Sequence, residues 1–129
     1  MSKPPLIAIV DDDEAVRDAL CDLLQVEGLE GRPFAHGAAF LADETAHECD
    51  CLVTDVRMPG IDGMELHYRL RMLGSPMPVI FITSSDDPAA RALALQRGAV
   101  AWFTKPVADE ALLTALWAAL DGAPRPPRE

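Results

Sequence analysis

Positive charge is scarce in this sequence. Lysine and arginine together number 11 against 21 aspartates and glutamates, a net charge of −10 over 129 residues. A field of that sign repels phosphate backbones and anionic headgroups, so neither a nucleic-acid surface nor a membrane surface is expected of this domain. Long apolar runs are missing as well. No stretch approaches the ~20 residues that a membrane span needs. Met1-Ser2-Lys3-Pro4-Pro5 precedes only the short run Leu6–Val10 before the first acids, which is not the pattern of a secretory leader. A cytoplasmic protein is the resulting expectation. Cysteine is rare, with 3 in the chain. Cys49 and Cys51 lie two apart on one side of any strand, without a second Cys/His pair at zinc-ligand spacing. They read as small core residues, and Cys21 as another within a helix. His36, His47 and His67 are scattered and read as surface residues. No internal repeat is present.

What the chain does have is apolar residues in half of its positions and the length of one globular domain. Four near-continuous apolar runs, Leu6–Val10, Cys51–Thr54, Val79–Thr83 and Val100–Phe103, have the look of strands covered on both faces. A weaker, edge-type strand is expected over Leu29–Ala35. Between the strands, spacings of three and four mark helices. Ala15, Val16, Ala19, Leu20, Leu23 and Leu24 form one, stopped at Gly28; Gly37–Ala42 is a short second. Leu66, Leu70 and Leu73 mark the next, ended by Gly74-Ser75-Pro76. Ala89, Leu93 and Gln96 outline a helix opened by Asp87-Pro88 and closed by Gly98. The last contains Leu112, Leu113, Leu116, Trp117 and Leu120. A β-α alternation repeated five times predicts an α/β domain over residues 1–121, with a mainly parallel sheet, helices on both faces and right-handed crossovers. The Pro/Arg-rich stretch 122–129 reads as a tail or the start of a linker.

The strand ends carry the chemistry. Leu6–Val10 runs directly into Asp11, Asp12 and Asp13. A strand buried on both faces cannot hold carboxylates in its middle, so they emerge at its carboxyl end, the edge at which open parallel sheets bind ligands. Neighbouring carboxylates repel by roughly 4 kcal/mol at close range and intermediate dielectric. A hard divalent cation such as Mg²⁺ is the usual relief, although an aspartate here can equally cap the next helix. The second buried run delivers Asp55, the third Thr83 with Ser84 and Ser85 behind it, and the last Lys105. Taken singly, Thr83 could be a helix cap and Lys105 a surface cation. Gathered on one rim, carboxylates, a hydroxyl and an ammonium suit a phosphoryl group, whose transfer needs mainly positioning and charge neutralisation.

With these residues in view the chain resembles the receiver domain of bacterial two-component response regulators, from about Leu6 to Leu120. The resemblance rests on Val10-Asp11-Asp12, on Asp55 with Met58-Pro59-Gly60-Ile61-Asp62-Gly63, on Thr83 and on Lys105-Pro106. The string Val53-Thr54-Asp55-Val56-Arg57-Met58-Pro59 is further similar to the FixJ-like subgroup. The resemblance implies a flavodoxin-like, doubly wound (βα)5 domain with strand order 2-1-3-4-5. It implies that Asp55 is the phosphoacceptor for a sensor histidine kinase or phosphotransfer protein. Mg²⁺, or Mn²⁺ in its place, would be held by Asp11, Asp12, Asp55 and the backbone carbonyl of Arg57. Thr83 and Lys105 would contact the phosphoryl oxygens. Asp13 lies one place beyond the acidic pair and is expected to be a helix cap. Thr83 and the aromatic at position 102 would form the switch, changing the surface of the fourth helix, fifth strand and fifth helix for partner binding or homodimerisation. The family usually has Tyr or Phe where this chain has Trp102, so a damped, biased or different movement is expected. Arg57 and Ser85, flanking the pocket, are expected to tune the lifetime of the phosphorylated form.

Two other readings remain open on the residues alone. A phosphatase of the haloacid dehalogenase type could use Asp11-x-Asp13, Thr83, Lys105 and the pair Asp86-Asp87. It would need that pair after the lysine, has no room for a cap domain, and leaves Asp55 without a task. A pseudo-receiver would keep the fold as an unphosphorylated interaction module. No DNA-binding segment follows Leu120, so either a stand-alone receiver or the front of a longer regulator is expected.

Overall fold

The computed structural model describes residues 3–122. Five parallel strands are ordered β2-β1-β3-β4-β5: β1 Leu6–Val10, β2 Glu30–Phe34, β3 Cys51–Thr54, β4 Val79–Thr83 and β5 Ala101–Thr104. The helices that connect them are α1 Glu14–Val26, α2 Gly37–Ala42, α3 Gly63–Met72, α4 Pro88–Gln96 and α5 Asp109–Gly122. This is the doubly wound α/β order expected from the sequence.

Strand period explains the two cores. Ile7, Ile9, Cys51, Val53, Ile80 and Ile82 point to one face, where Leu24 of α1 and Leu112 and Leu116 of α5 cover them. Ala8, Val10, Leu52, Val79 and Phe81 point to the other, beneath Phe40 of α2, Leu66 and Leu70 of α3, and Ala94 of α4. The three central strands are buried throughout, whereas β2 and β5 at the edges are only partly covered. That is why the inner strands read as unbroken apolar runs and Pro33 is tolerated only at an edge.

Most element ends are set by the expected residues. Asp13 caps α1 by accepting from Ala15 N at 2.9 Å, and Asp87 caps α4 by accepting from Ala90 N at 3.1 Å. Thr83 is therefore not the cap of α4. Four differences are small in extent. The edge strand β2 is one residue shorter at each end, and at its start the Leu29 N–H closes helix α1 on Leu24 O instead of joining the ladder. Strand β5 begins one residue late and includes Thr104, and Leu73 ends α3 as an exposed cap residue outside the core stripe. A 3-10 turn, Glu44–Glu48, lies between α2 and β3; Asp43 caps it through Thr45 N and Ala46 N, a local signal that was legible in Asp43-Glu44-Thr45. The stretch 123–129, read as tail or linker, lies outside the described residues. Among the described residues no helix is long and apolar enough to cross a membrane.

Cys49 and Cys51 are buried thiols, pushed up to about 11 and about 12 by burial, which leaves them inert at neutral pH. His36 and His47 are exposed as expected, but His67 is not: only 1 % of it is accessible, and it packs edge-on against Phe81 at 5.7 Å. Its place one residue after Leu66 puts it beneath the sheet, a placement that apolar spacing gave no reason to expect. Burial, then the charges of Arg71 and Arg97, lower its pKa to about 4. The folded value is below the unfolded one, so the unfolded chain takes up the proton first as pH falls. Stability is accordingly expected to drop by ~3 kcal/mol between about pH 6.5 and 4 on account of this residue. Urea melts of wild type and His67→Leu across that range check this: the variant should lose much less stability on acidification, and parallel pH profiles would refute the assignment.

Candidate phosphoryl and metal site

The sheet order creates the site. From β1 the chain moves to β2 on one side, while β3 lies on the other, so the ends of β1 and β3 flank a point where the direction of winding reverses. Ligands collect in that crevice in open α/β sheets. Asp11 follows β1 and Asp55 follows β3, with Val10 paired to Thr54 and the Asp55 N–H bonded to Val10 O at 3.0 Å. Pairing of the backbones thus places the two carboxylates side by side.

Both are buried, Asp11 to 2 % and Asp55 to 7 % exposure, whereas Asp12 is exposed. One oxygen from each of Asp11, Asp12 and Asp55 lies within 4.8 Å of the others. The Lys105 ammonium, brought in from the end of β5, donates to Asp11 Oδ2 and Asp55 Oδ2, each at 2.9 Å. Partial burial lowers the Lys105 pKa, but the hydrogen bonds it donates to Asp55 and Asp11 and their charges outweigh it, and the net shift is upward. The ammonium is therefore held charged between two buried anions. Its N–H backbone donor goes to Thr83 O at 2.7 Å, which ties the β4 and β5 ends together, and the Lys105-Pro106 peptide is cis.

The other expected residues are distributed as follows. Thr83 is buried, and its hydroxyl oxygen accepts from Ser85 N at 3.2 Å. Arg57 is exposed; its backbone N–H donates to Asp55 Oδ1 at 3.2 Å. Trp102 packs its indole on Phe81, ring centres 5.5 Å apart, with Nε1 buried and unpartnered among the described residues. Asp13 is a helix cap and does not belong to the carboxylate cluster, which removes the second acid that a haloacid-dehalogenase arrangement requires. Arg17 is a site neighbour that sequence spacing did not single out: its guanidinium donates to Asp11 O at 2.7 Å. The four-residue step from Asp13 to Arg17, one helical turn, was the available signal.

Three carboxylates, a hard oxygen donor set, with a cation already lodged between two of them, fit Mg²⁺ or Mn²⁺ in charge and donor type.

Residues 7–117 match the response regulator receiver domain family. The chain is 42 % identical over 120 residues to the response regulator protein TodT of Pseudomonas putida, covering 93 % of this chain and 53 % of that relative. It is 40 % identical over 114 residues to the transcriptional regulatory protein FixJ of Azorhizobium caulinodans, covering 88 % and 54 %. The crystal structure of FixJ-N superposes with a TM-score of 0.83 at 33 % identity, over 94 % of this chain and 97 % of that one. The chain spans about half the length of the curated relatives it matches.

Proposed function

The chain belongs to the response regulator receiver domain family of two-component systems, and on that premise we propose that Asp55 accepts a phosphoryl group from a histidine kinase or phosphotransfer protein. The observation that carries this reading is the Lys105 ammonium clasped equally by Asp11 and Asp55. It supports a site that gathers positive charge between two carboxylates, and of the two Asp55 is the one that matches the acceptor position of the family motif ahead of Met58-Pro59-Gly60.

Asp11, Asp12, Asp55 and the carbonyl of Arg57 would hold Mg²⁺ or Mn²⁺. When bound, that ion neutralises the anionic charge that otherwise keeps a carboxylate from approaching a phosphoryl group. An Asp55 oxygen bonds to phosphorus as the P–N bond of the phosphohistidine breaks. The imidazole leaves with the electron pair and Asp55 becomes an acyl phosphate, later hydrolysed by water. Lys105 exchanges its Asp55 contact for a phosphoryl oxygen. The Thr83 hydroxyl already accepts from Ser85, so its own proton is free to be donated to the new group. Drawing Thr83 inward alters the space beside Phe81 and Trp102 on adjacent strands, and so biases the α4-β5-α5 surface toward a partner or a second copy. Residues 1–121 constitute the receiver unit in this reading.

The test is intact mass after incubation with acetyl phosphate and Mg²⁺. One phosphoryl adduct is expected, lost completely in Asp55→Asn and on replacing Mg²⁺ with EDTA. No adduct on the wild-type protein would instead support an unphosphorylated interaction module, and an adduct that persists in Asp55→Asn would move the acceptor elsewhere.

A further inference from the structure

Asp11 is held at every polar atom it has. Its N–H donates to Phe34 O at 3.2 Å, Oδ1 accepts from Asp13 N at 2.9 Å, and Oδ2 accepts from Lys105. Its carbonyl lies beyond the β1 ladder, which ends at Val10, and accepts from the Arg17 guanidinium at 2.7 Å. Asp12 differs: among the described residues nothing bonds its carboxylate, and it is exposed.

The Asp11 carbonyl and the Asp12 N–H share one peptide plane, so whatever fixes that carbonyl also sets the N–Cα bond from which the Asp12 side chain departs and narrows the directions open to it. Arg17 is anchored for this task. Its N–H bonds Asp13 O at 3.1 Å in the first turn of α1, and a helical side chain leans back toward the helix N-terminus, here over the acid loop. A guanidinium-to-carbonyl hydrogen bond is charge-assisted and among the stronger kinds. From this geometry we propose that Arg17 is a positioning residue for the cation site, aiming the Asp12 carboxylate at the ion through the Asp11–Asp12 peptide. The inference rests on the reading of Asp11, Asp12 and Asp55 as cation ligands.

Charge and position make opposite demands at this residue, which gives the test its force. A guanidinium beside a cation site repels the cation, so removing it should tighten binding if charge were its only influence. If it positions Asp12, removing it weakens binding, by the ~10-fold or more that is typical for groups behind metal ligands. The measurement is Mn²⁺ affinity by electron paramagnetic resonance and calorimetry on the full chain, in wild type, Arg17→Met, Arg17→Lys, Asp12→Asn and the double variant Asp12→Asn/Arg17→Met, with urea midpoints alongside. The expected result is ~10-fold weaker Mn²⁺ binding in Arg17→Met, partial recovery in Arg17→Lys, and a loss in Asp12→Asn that Arg17→Met does not deepen additively. Unchanged or tighter binding in Arg17→Met overturns the role of Arg17 while leaving the cation site intact. No saturable Mn²⁺ binding by the wild type overturns the site itself. Should Arg17→Met fail to fold, Arg17→Lys decides alone: its charge is kept, so only lost positioning can weaken its binding.

Discussion

Replacing Gly63 with alanine is expected to destabilise the domain by about 3 kcal/mol or more and to lower phosphoryl uptake in the fraction that still folds. Gly63 opens α3, and its N–H donates to Val56 O at 2.8 Å, so the first turn of the helix lies directly on the loop that leaves Asp55. A Cβ built there meets only backbone: it overlaps Asp55 O and comes within 3.0 Å of Asp55 C and of Val56 Cα. No side chain can rotate away. Either α3 retreats from the sheet, opening the packing around Leu66 and Leu70, or the Asp55 peptide moves and takes the acceptor out of line. Gly63 does not have the positive φ seen at Gly28, Gly60, Gly74 and Gly98, so close approach is the reason for glycine here. Urea unfolding gives the stability, and a thermal midpoint lower by ~10 °C is the corresponding shift for a domain of this size. A variant with the wild-type midpoint and full uptake would mean that the α3 terminus is free to slide, contrary to the packing described.

Lys105→Met is expected to lower stability by ~3 kcal/mol without divalent ions and to abolish most phosphoryl uptake. The substitution keeps an unbranched apolar stem but leaves Asp11 and Asp55 buried together with no counter-charge, and losing one partner of a buried ion pair is costly. Lys105 itself retains 22 % side-chain exposure, so the lower end of the usual range for buried pairs applies. The folded pKa of Lys105 is raised above 10.5. Its contribution is thus fully present below pH 10.5 and fades only as pH rises through the folded value, so the deficit of the variant should be constant across neutral pH. Mg²⁺ discriminates this explanation from simple loss of packing. A divalent ion can take the vacated role, so the variant should gain more stability from Mg²⁺ than wild type does, about 2.7 kcal/mol at a concentration 100 times its Kd. An equal Mg²⁺ increment in both proteins would show that the ammonium and the ion do not serve the same anions.

The fold was legible because its signals are local and redundant. An apolar run such as Ile80-Phe81-Ile82 is sufficient for a central strand, and Asp13 and Asp87 mark helix starts by bonds to residues two and three places on. The edge strand was vaguer at its ends, since Leu29 is claimed by both a strand pattern and the closing turn of α1. His67 was misread for a related reason. A polar residue on a helix is assigned outward unless its neighbours dictate otherwise, and the neighbours that bury it, Phe81 above all, are distant in sequence. Trp102 was legible as a departure, but its seat against Phe81 depends on the register of β4 with β5.

The order of elements, the four chemically distinctive strand ends and the family resemblance were fixed by the chain alone, because each depends on residues a few positions apart. Only tertiary structure decided that Lys105 bridges Asp11 and Asp55 across 94 and 50 residues, that Arg17 grips the Asp11 carbonyl, and that Gly63 has no space for a methyl group. Hydrogen bonds and steric contacts act over ~3 Å, and which groups come that close is settled by strand pairing and helix packing.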